Sequence, residues 1–577
     1  EERGGLMNDG RTLAPQRPEL VSEGVPSQRP RWLELVTSPD HKDAGRIMIG
    51  AALSFLLLGI VAFLLIRLQL AIPENTLLEP VTFNRLLSVG STTLVVLFAL
   101  PLAFGLYTYL VPLQIGSRTL AFPRLASLAL WLYIAGGAIL FASFAYTPPE
   151  TGFANWPPLS NEVFVSNNGP DVWITSVGLA VLGLTLQALN LAVTIAKLRA
   201  PGMAWRRLPV FSFSGAVASW VMLVVGPAML AALVMLEIDR TFEGVFFDAG
   251  EGGAPIYYQH LSWIFFTGCY LIFLLPAFGA VSEILPVFSR KPLLSRGAAM
   301  ASLAAIGALG PLAWMQNMYS ASIPVGWLYM AMAAALLLAI PIGAVFVNWI
   351  ATLAGGVIRI RAPMTFALAA ISTLSFGLLA ELCLSVIPVG WELGDTAAAT
   401  AATGYVLIGG PILGGLAALH YWFPKMTGRA MGEGLAKPSL ALIVLGAHLT
   451  LIPMFLAGVE GQATDIYKYF EPTDAVNSPE ALDTLNLLST IGAFALALGV
   501  VLSLANAYRG VSRGNRVGHD PWGGETLEWF ATSPPPPHNF DVVPDVRSDE
   551  PLRDIREAIR HREAPSPEPA ERTEPVA

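Results

Sequence analysis

Residues able to do chemistry stand in this sequence where polar groups are expensive to keep. Residues 314–319 read WMQNMY, so that two adjacent amides, Gln316 and Asn317, lie within the apolar run GAAMASLAAIGALGPLAWMQNMYSAS (297–322). A carboxyl, Glu381, interrupts LLAELCLSV, and an imidazole, His448, interrupts LGAHLTLIPMF. An amide withdrawn from water without a partner costs several kcal/mol, and ionisable residues inside a membrane are costly and often mark function. Glu381 admits two readings: a protonated carboxyl bonded to a backbone carbonyl, or a partner-facing or proton-handling group. His448 either donates to a neighbouring carbonyl or Asn, or ligates a metal; a bis-imidazole site would need a second imidazole, and the sequence sets none opposite it.

The elements that hold these residues follow from composition. Over 577 residues the chain is 54% hydrophobic and only 13% charged, with a mean hydropathy of +0.57, far more apolar than a soluble domain of that length. A helix crosses a hydrocarbon core of roughly 30 Å with about 20 apolar residues. Twelve runs of that kind are predicted, with cores near 46–67, 88–113, 124–146, 172–197, 210–236, 258–282, 297–320, 324–353, 364–388, 396–423, 438–458 and 483–507. They are long, continuous and rich in Ala, Leu and Gly, whereas membrane strands alternate over about 10 residues. The expected fold is therefore an all-α, twelve-span polytopic membrane protein.

Basic residues accumulate in alternate loops: Arg118 and Arg124; Lys197, Arg199, Arg206 and Arg207; Arg290, Lys291 and Arg296; Arg359 and Arg361; Lys425, Arg429 and Lys437. By the positive-inside rule both termini are expected in the cytoplasm, with the loops 147–171, 237–257 and 459–482 outside. No cleavable signal peptide is expected in the polar arm, residues 1–44. The bundle is expected over 45–510. Residues 511–577, with SPPPPHNF and REAPSPEPAERTEPVA, read as a largely extended or disordered cytoplasmic tail. Cys269 and Cys383 form no CxxC and imply no disulfide framework. The net charge of −8 comes mainly from outer loops and tail, so it gives no argument for an acidic partner, and no nucleic acid is expected.

Several phrases are more specific: FNRLLS (83–88), VPLQIGSRTLAFPRL (111–125), YQHLSWIFF (258–266), AVSEILPVFSRKP (280–292), NWIATLAGG (348–356), HYWFPKMTGR (420–429) and TLEWFATSPPPPHNF (526–540). In this order, over roughly residues 31 to 545, the chain resembles subunit I of the haem-copper oxidases of the cytochrome c oxidase type. The resemblance implies twelve spans, two haems and a copper ion held by histidines, dioxygen reduction and proton pumping. It also implies where the ligands belong. The haem-ligand positions fall on Gly90, Ala402 and Gly404, and the copper-ligand positions on Thr267, Gln316 and Asn317. The positions of the tyrosine beside copper and the glutamate of the main proton pathway fall on Leu271 and Cys269. That pathway's entrance aspartate falls on Thr119, and the second pathway's lysine on Val345. The propionate-binding arginines fall on Thr464 and Asp465, and the histidine of the magnesium site on Gly394.

With no imidazole at any of the six ligand positions, the expectation is a haem-free, copper-free pseudo-enzyme: a non-catalytic subunit with a structural, assembly or docking role in a respiratory complex. Other respiratory subunits, an active oxidase or its accessory subunits, and lipids are the expected partners, in a bacterial or archaeal plasma membrane. A quinone- or lipid-binding or ion-handling protein using the old haem space is the alternative, and an active cytochrome c oxidase subunit I stands behind both. Empty pockets of several hundred Å³ would cost on the order of 10 kcal/mol at about 24 cal/mol per Å³. The pockets are therefore expected to be refilled by larger side chains, with Tyr107 as a candidate, collapsed by helix movement, or occupied by lipid or quinone, with Gln316 and Asn317 bonding to each other's neighbours across the old copper site.

Overall fold

A computed structural model describes residues 37–321, 323–469 and 481–563. The chain divides after Ser38 into two units, and the second, Pro39–Ala577, holds the membrane bundle. Twelve long apolar helices form, as the hydropathy predicts: α1 His41–Gln69, α2 Pro80–Gln114, α3 Pro123–Ala145, α4 Gly169–Lys197, α5 Val210–Thr241 and α6 Pro255–Ser289. They continue with α7 Arg296–Met318, α8 Val325–Leu353, α9 Ala362–Leu384, α10 Ala397–Thr427, α11 Glu433–Val459 and α12 Leu482–Arg513. Among the described residues no strand forms; the isolated bridges are Thr396 to Ala463 and Arg429 to Arg516.

Three spans are inner ones. The apolar stretches of α2, α6 and α10 are 94%, 89% and 83% buried, against 22% for α8 and 28% for α1. A helix surrounded by other helices is apolar all round, so hydropathy alone cannot separate it from a lipid-facing one.

Two of the inner spans are locally unwound. In α2, Thr93–Ala99 is a π-helical turn. Pro101 lacks the N–H that would reach the Leu97 carbonyl, and the Tyr133 hydroxyl on α3 donates to that oxygen instead, at 2.7 Å. In α10 a π segment, Ile408–Gly414, contains Pro411. Such bulges often stand at functional sites. The third irregularity bears directly on the amides: α7 tightens into a 3₁₀ helix over Gly310–Met318, opening with Pro311. Runs of that kind longer than three or four residues are uncommon.

The segment after α12 departs from expectation. It is not loose where described: Leu527, Trp529, Phe540 and Val546 are buried against the bundle. The Lys425 ammonium, at the end of α10, donates to the carbonyls of His519, Ala531 and Thr532. His41, read as part of a loose arm, is also buried, bonding to the Thr108 carbonyl and to Asn539. The average composition of the segment is polar, but its aromatic and aliphatic anchors are spaced between the prolines, and anchors decide docking. The start of α1 and the tail therefore share one face.

Candidate functional site

Five spans enclose a cavity of about 410 Å³. On α6, Thr267, Leu271 and Leu274 repeat at helical spacing and so line one wall. Gln316 and Asn317 come from the 3₁₀ part of α7, Phe346 from α8, Glu381 from α9 and Thr403 from α10. Asn317 Nδ2 donates to Thr267 Oγ1 at 3.2 Å, and Thr403 Oγ1 donates to Glu381 Oε1 at 3.3 Å. The three positions the resemblance assigns to copper are thus brought together, with an amide–hydroxyl bond between two of them.

The amides are less enclosed than the sequence suggests. Gln316 is half-buried and Asn317 exposed, because α8, on the open side, is the span with the smallest buried share. Leu271 packs on Gly310, where a Cβ would lie 2.0 Å from its Cδ1. The absence of a side chain at residue 310 lets α7 approach α6 and carries the amides to the wall.

The haem-assigned positions lie elsewhere. Gly90 is buried against α1, where a Cβ would stand 3.0 Å from that of Ala62, and Gly404 faces Leu451 on α11, whose Cδ2 would be at 2.8 Å. Ala402 is fully buried. Between α2, α6 and α10 a space of only about 10 Å³ remains, walled by Ala103, Leu106, Ala277 and Gly410. Tyr107 does not refill the large cavity: it packs on Phe211 and Gly215 of α5, with its hydroxyl 2.9 Å from Ser214 Oγ. His448 Nδ1 is 2.9 Å from the Tyr405 hydroxyl and the ring meets Phe376 edge-on, so its partner is a phenol, not the expected carbonyl or Asn. Thr464 Oγ1 bonds to Thr400 Oγ1. Tyr270 and Thr403 also line the cavity and were missed in the sequence; the helical spacing from Thr267 would have found the first.

Residues 43–495 match the family described as cytochrome C and quinol oxidase polypeptide I. The chain belongs to this family. It is 35% identical to cytochrome c oxidase subunit 1 of Bacillus subtilis over 90% of its own length and 82% of the relative's. To the protein of that name from Thermostichus vulcanus it is 35% identical, over 89% and 92%. A probable cytochrome c oxidase subunit 1-beta of Nocardia farcinica is 36% identical, over 90% and 88%. Among solved structures, a haem-copper terminal oxidase dimer shares the fold with a TM-score of 0.69 at 15% identity, covering 82% of this chain and 85% of that one.

These matches correct the functional expectation. Relatives named as oxidase subunits, aligned over nine-tenths of the chain, favour an oxidase role over a non-catalytic one. The readings as pseudo-enzyme, as docking subunit and as a quinone- or lipid-binding or ion-handling protein give way to membership of an enzyme family. The expectation that no cofactor belongs to the chain is corrected on the same ground, since the matched relatives are oxidase subunits and the shared fold is that of a haem-copper oxidase. The error lay in weighing six positions above the retained length of the chain. The multi-pass membrane character is established by the twelve apolar helices and the family.

The donor atoms of the cavity still have to be compared with what the metals take. Haem iron is held by imidazole, thiolate, thioether or, in some proteins, tyrosine phenolate, and copper chiefly by imidazole, thiolate or thioether donors. The cavity wall offers the hydroxyls of Thr267, Tyr270, Ser375, Ser385 and Thr403, the amides of Gln316 and Asn317 and the carboxyl of Glu381, and neither His nor Cys. Among the described residues no group of three or more His, Cys, Asp or Glu is placed to hold a metal ion. The resemblance implies histidine ligands for both metals and this wall supplies none, so the donor set does not fit them, and the geometry supplies no reaction step through one.

Proposed function

We propose that the chain serves as a subunit I component of a respiratory oxidase in a bacterial or archaeal plasma membrane, assembled with other membrane subunits. On this reading the face bearing His41 and the tail is cytoplasmic, as the basic loops argue. Gly90, Ala402 and Gly404 occupy the family's haem-ligand positions, and Thr267, Gln316 and Asn317 those of copper. The observation that carries the proposal is identity of about one residue in three across nine-tenths of the chain to proteins named as oxidase subunit 1.

The test is dioxygen consumption by the complex purified in mild detergent, with reduced cytochrome c or a quinol as donor, together with a reduced-minus-oxidised spectrum and metal analysis of the isolated chain. Dioxygen uptake that disappears when this chain is deleted from the complex supports the proposal. A chain that purifies with no respiratory subunit and consumes no dioxygen sinks it.

A further inference from the structure

The retained phrases AVSEILP and TLEWF, which the oxidase reading leaves without a task, meet at the tail-bearing face. Gln114 Nε2, at the end of α2, donates to Glu283 Oε2 on α6 at 2.8 Å and to Glu528 Oε1 in the tail at 3.1 Å. One amide nitrogen therefore bridges two carboxyls, whose oxygens stand no further apart than those two bonds laid end to end. Ser212 Oγ donates to Gln114 Oε1 at 2.6 Å, which fixes which way the amide faces. Glu283 Oε1 accepts from the Phe211 N–H at 2.9 Å, and Glu528 Oε1 accepts from Trp422 Nε1 at 3.0 Å. Glu528 is fully buried, and its other oxygen, Oε2, has no hydrogen-bond partner among the described residues.

Cations are near but committed elsewhere. Lys425 on α10 attracts Glu528 at longer range but gives its hydrogen bonds to three tail carbonyls. Arg296 on α7 attracts Glu283 while bonding the carbonyls of Arg207, Leu208 and Asp549. The other polar groups facing the pair are the Tyr421 and Thr526 hydroxyls, with Asp520 beyond. Among the described residues neither carboxyl forms an ion pair, and a buried oxygen with no donor is far costlier on an anion than on a neutral carboxyl.

We propose that Glu283 and Glu528 bind one proton between them, and that this shared proton fastens the segment 515–550 to the bundle. Burial holds the Glu528 carboxyl above the ordinary carboxylate range. A carboxyl raised in the seated state favours seating below its unseated pKa, and that contribution is lost as pH rises through the seated value. The tail is accordingly held in acid and released by alkali, the reverse of a tail held by salt bridges to carboxylates.

Hydrogen exchange of peptides spanning 525–546 in the full chain, corrected for intrinsic exchange rates, is measured between roughly pH 5 and 9. The expected opening constant rises about tenfold per pH unit above the pKa of the unseated carboxyl, the slope of a single proton released on opening, and levels off above the pKa of the seated one. In Glu528→Gln the amide keeps the acceptor that serves Gln114 and Trp422 and stays neutral at every pH, so seating should persist and the slope should vanish; Glu283→Gln should flatten it likewise. Infrared difference spectra of the unmodified protein should show a protonated carboxyl C=O band at neutral pH that either variant deletes. A flat wild-type profile, a slope that survives in Glu528→Gln, or the absence of that band at neutral pH would each overturn the proposal. If either variant fails to fold, the wild-type exchange profile of 525–546 decides. None of these readouts depends on oxidase activity.

Discussion

The cavity among α6 to α10 and the tail-capped face below it both place polar groups inside a membrane bundle, and they do so in opposite ways. At the tail face several buried side chains have more than one partner: Asn539 alone bonds His41, Lys42 and the Ser117 carbonyl. In the cavity Asn317 has one hydroxyl partner at 3.2 Å and Glu381 one at 3.3 Å, around a space of about 410 Å³. The tail face includes two of the phrases on which the resemblance rests, and the cavity is built around the three positions that the resemblance assigns to copper. A network tolerates burial when every member is satisfied, and half-satisfied sites are the soft ones. The two regions therefore differ in how many bonds hold their polar groups.

Substitutions of graded severity test that contrast. The largest effect is expected at Lys425, whose ammonium serves three carbonyls: Lys425→Met should cost about 3 kcal/mol or more, as charge-assisted bonds are lost and buried carbonyls orphaned. It should also raise exchange across 527–546, whereas an unchanged thermal midpoint would mean that the tail seats without that anchor. Asn539→Ala should follow at about 2 kcal/mol, since His41 and Lys42 each lose a partner inside the protein; denaturant unfolding in detergent reads this, and a cost below that of the cavity variants would erase the contrast. At the cavity, Asn317→Leu should cost only about 1 kcal/mol for its single bond, and Gln316→Leu about 0.5 kcal/mol or less, the range of a partly exposed site. Equal losses at both amides of about 3 kcal/mol would show that the cavity is as tightly wired as the base.

The twelve spans, their order and the family were legible in the sequence because hydropathy over about 20 residues and short contiguous phrases are local signals. The resemblance set Thr267, Gln316 and Asn317 at one site, and they line one cavity, but the bond from Asn317 to Thr267 was not legible in the sequence. The ring of inner spans was not legible, because Ala, Leu and Gly face lipid and protein alike. Nor could local sequence show that the 3₁₀ turn beginning at Gly310 would leave Asn317 exposed, that Tyr107 would fill the α2–α5 contact, or that a proline-rich tail would bury Glu528 and bring it to Gln114, 414 residues away. Composition averages over a segment, while docking depends on a few anchors and on which polar atoms they bring face to face. That pairing exists only once distant parts of the chain have packed, and only tertiary structure could decide it.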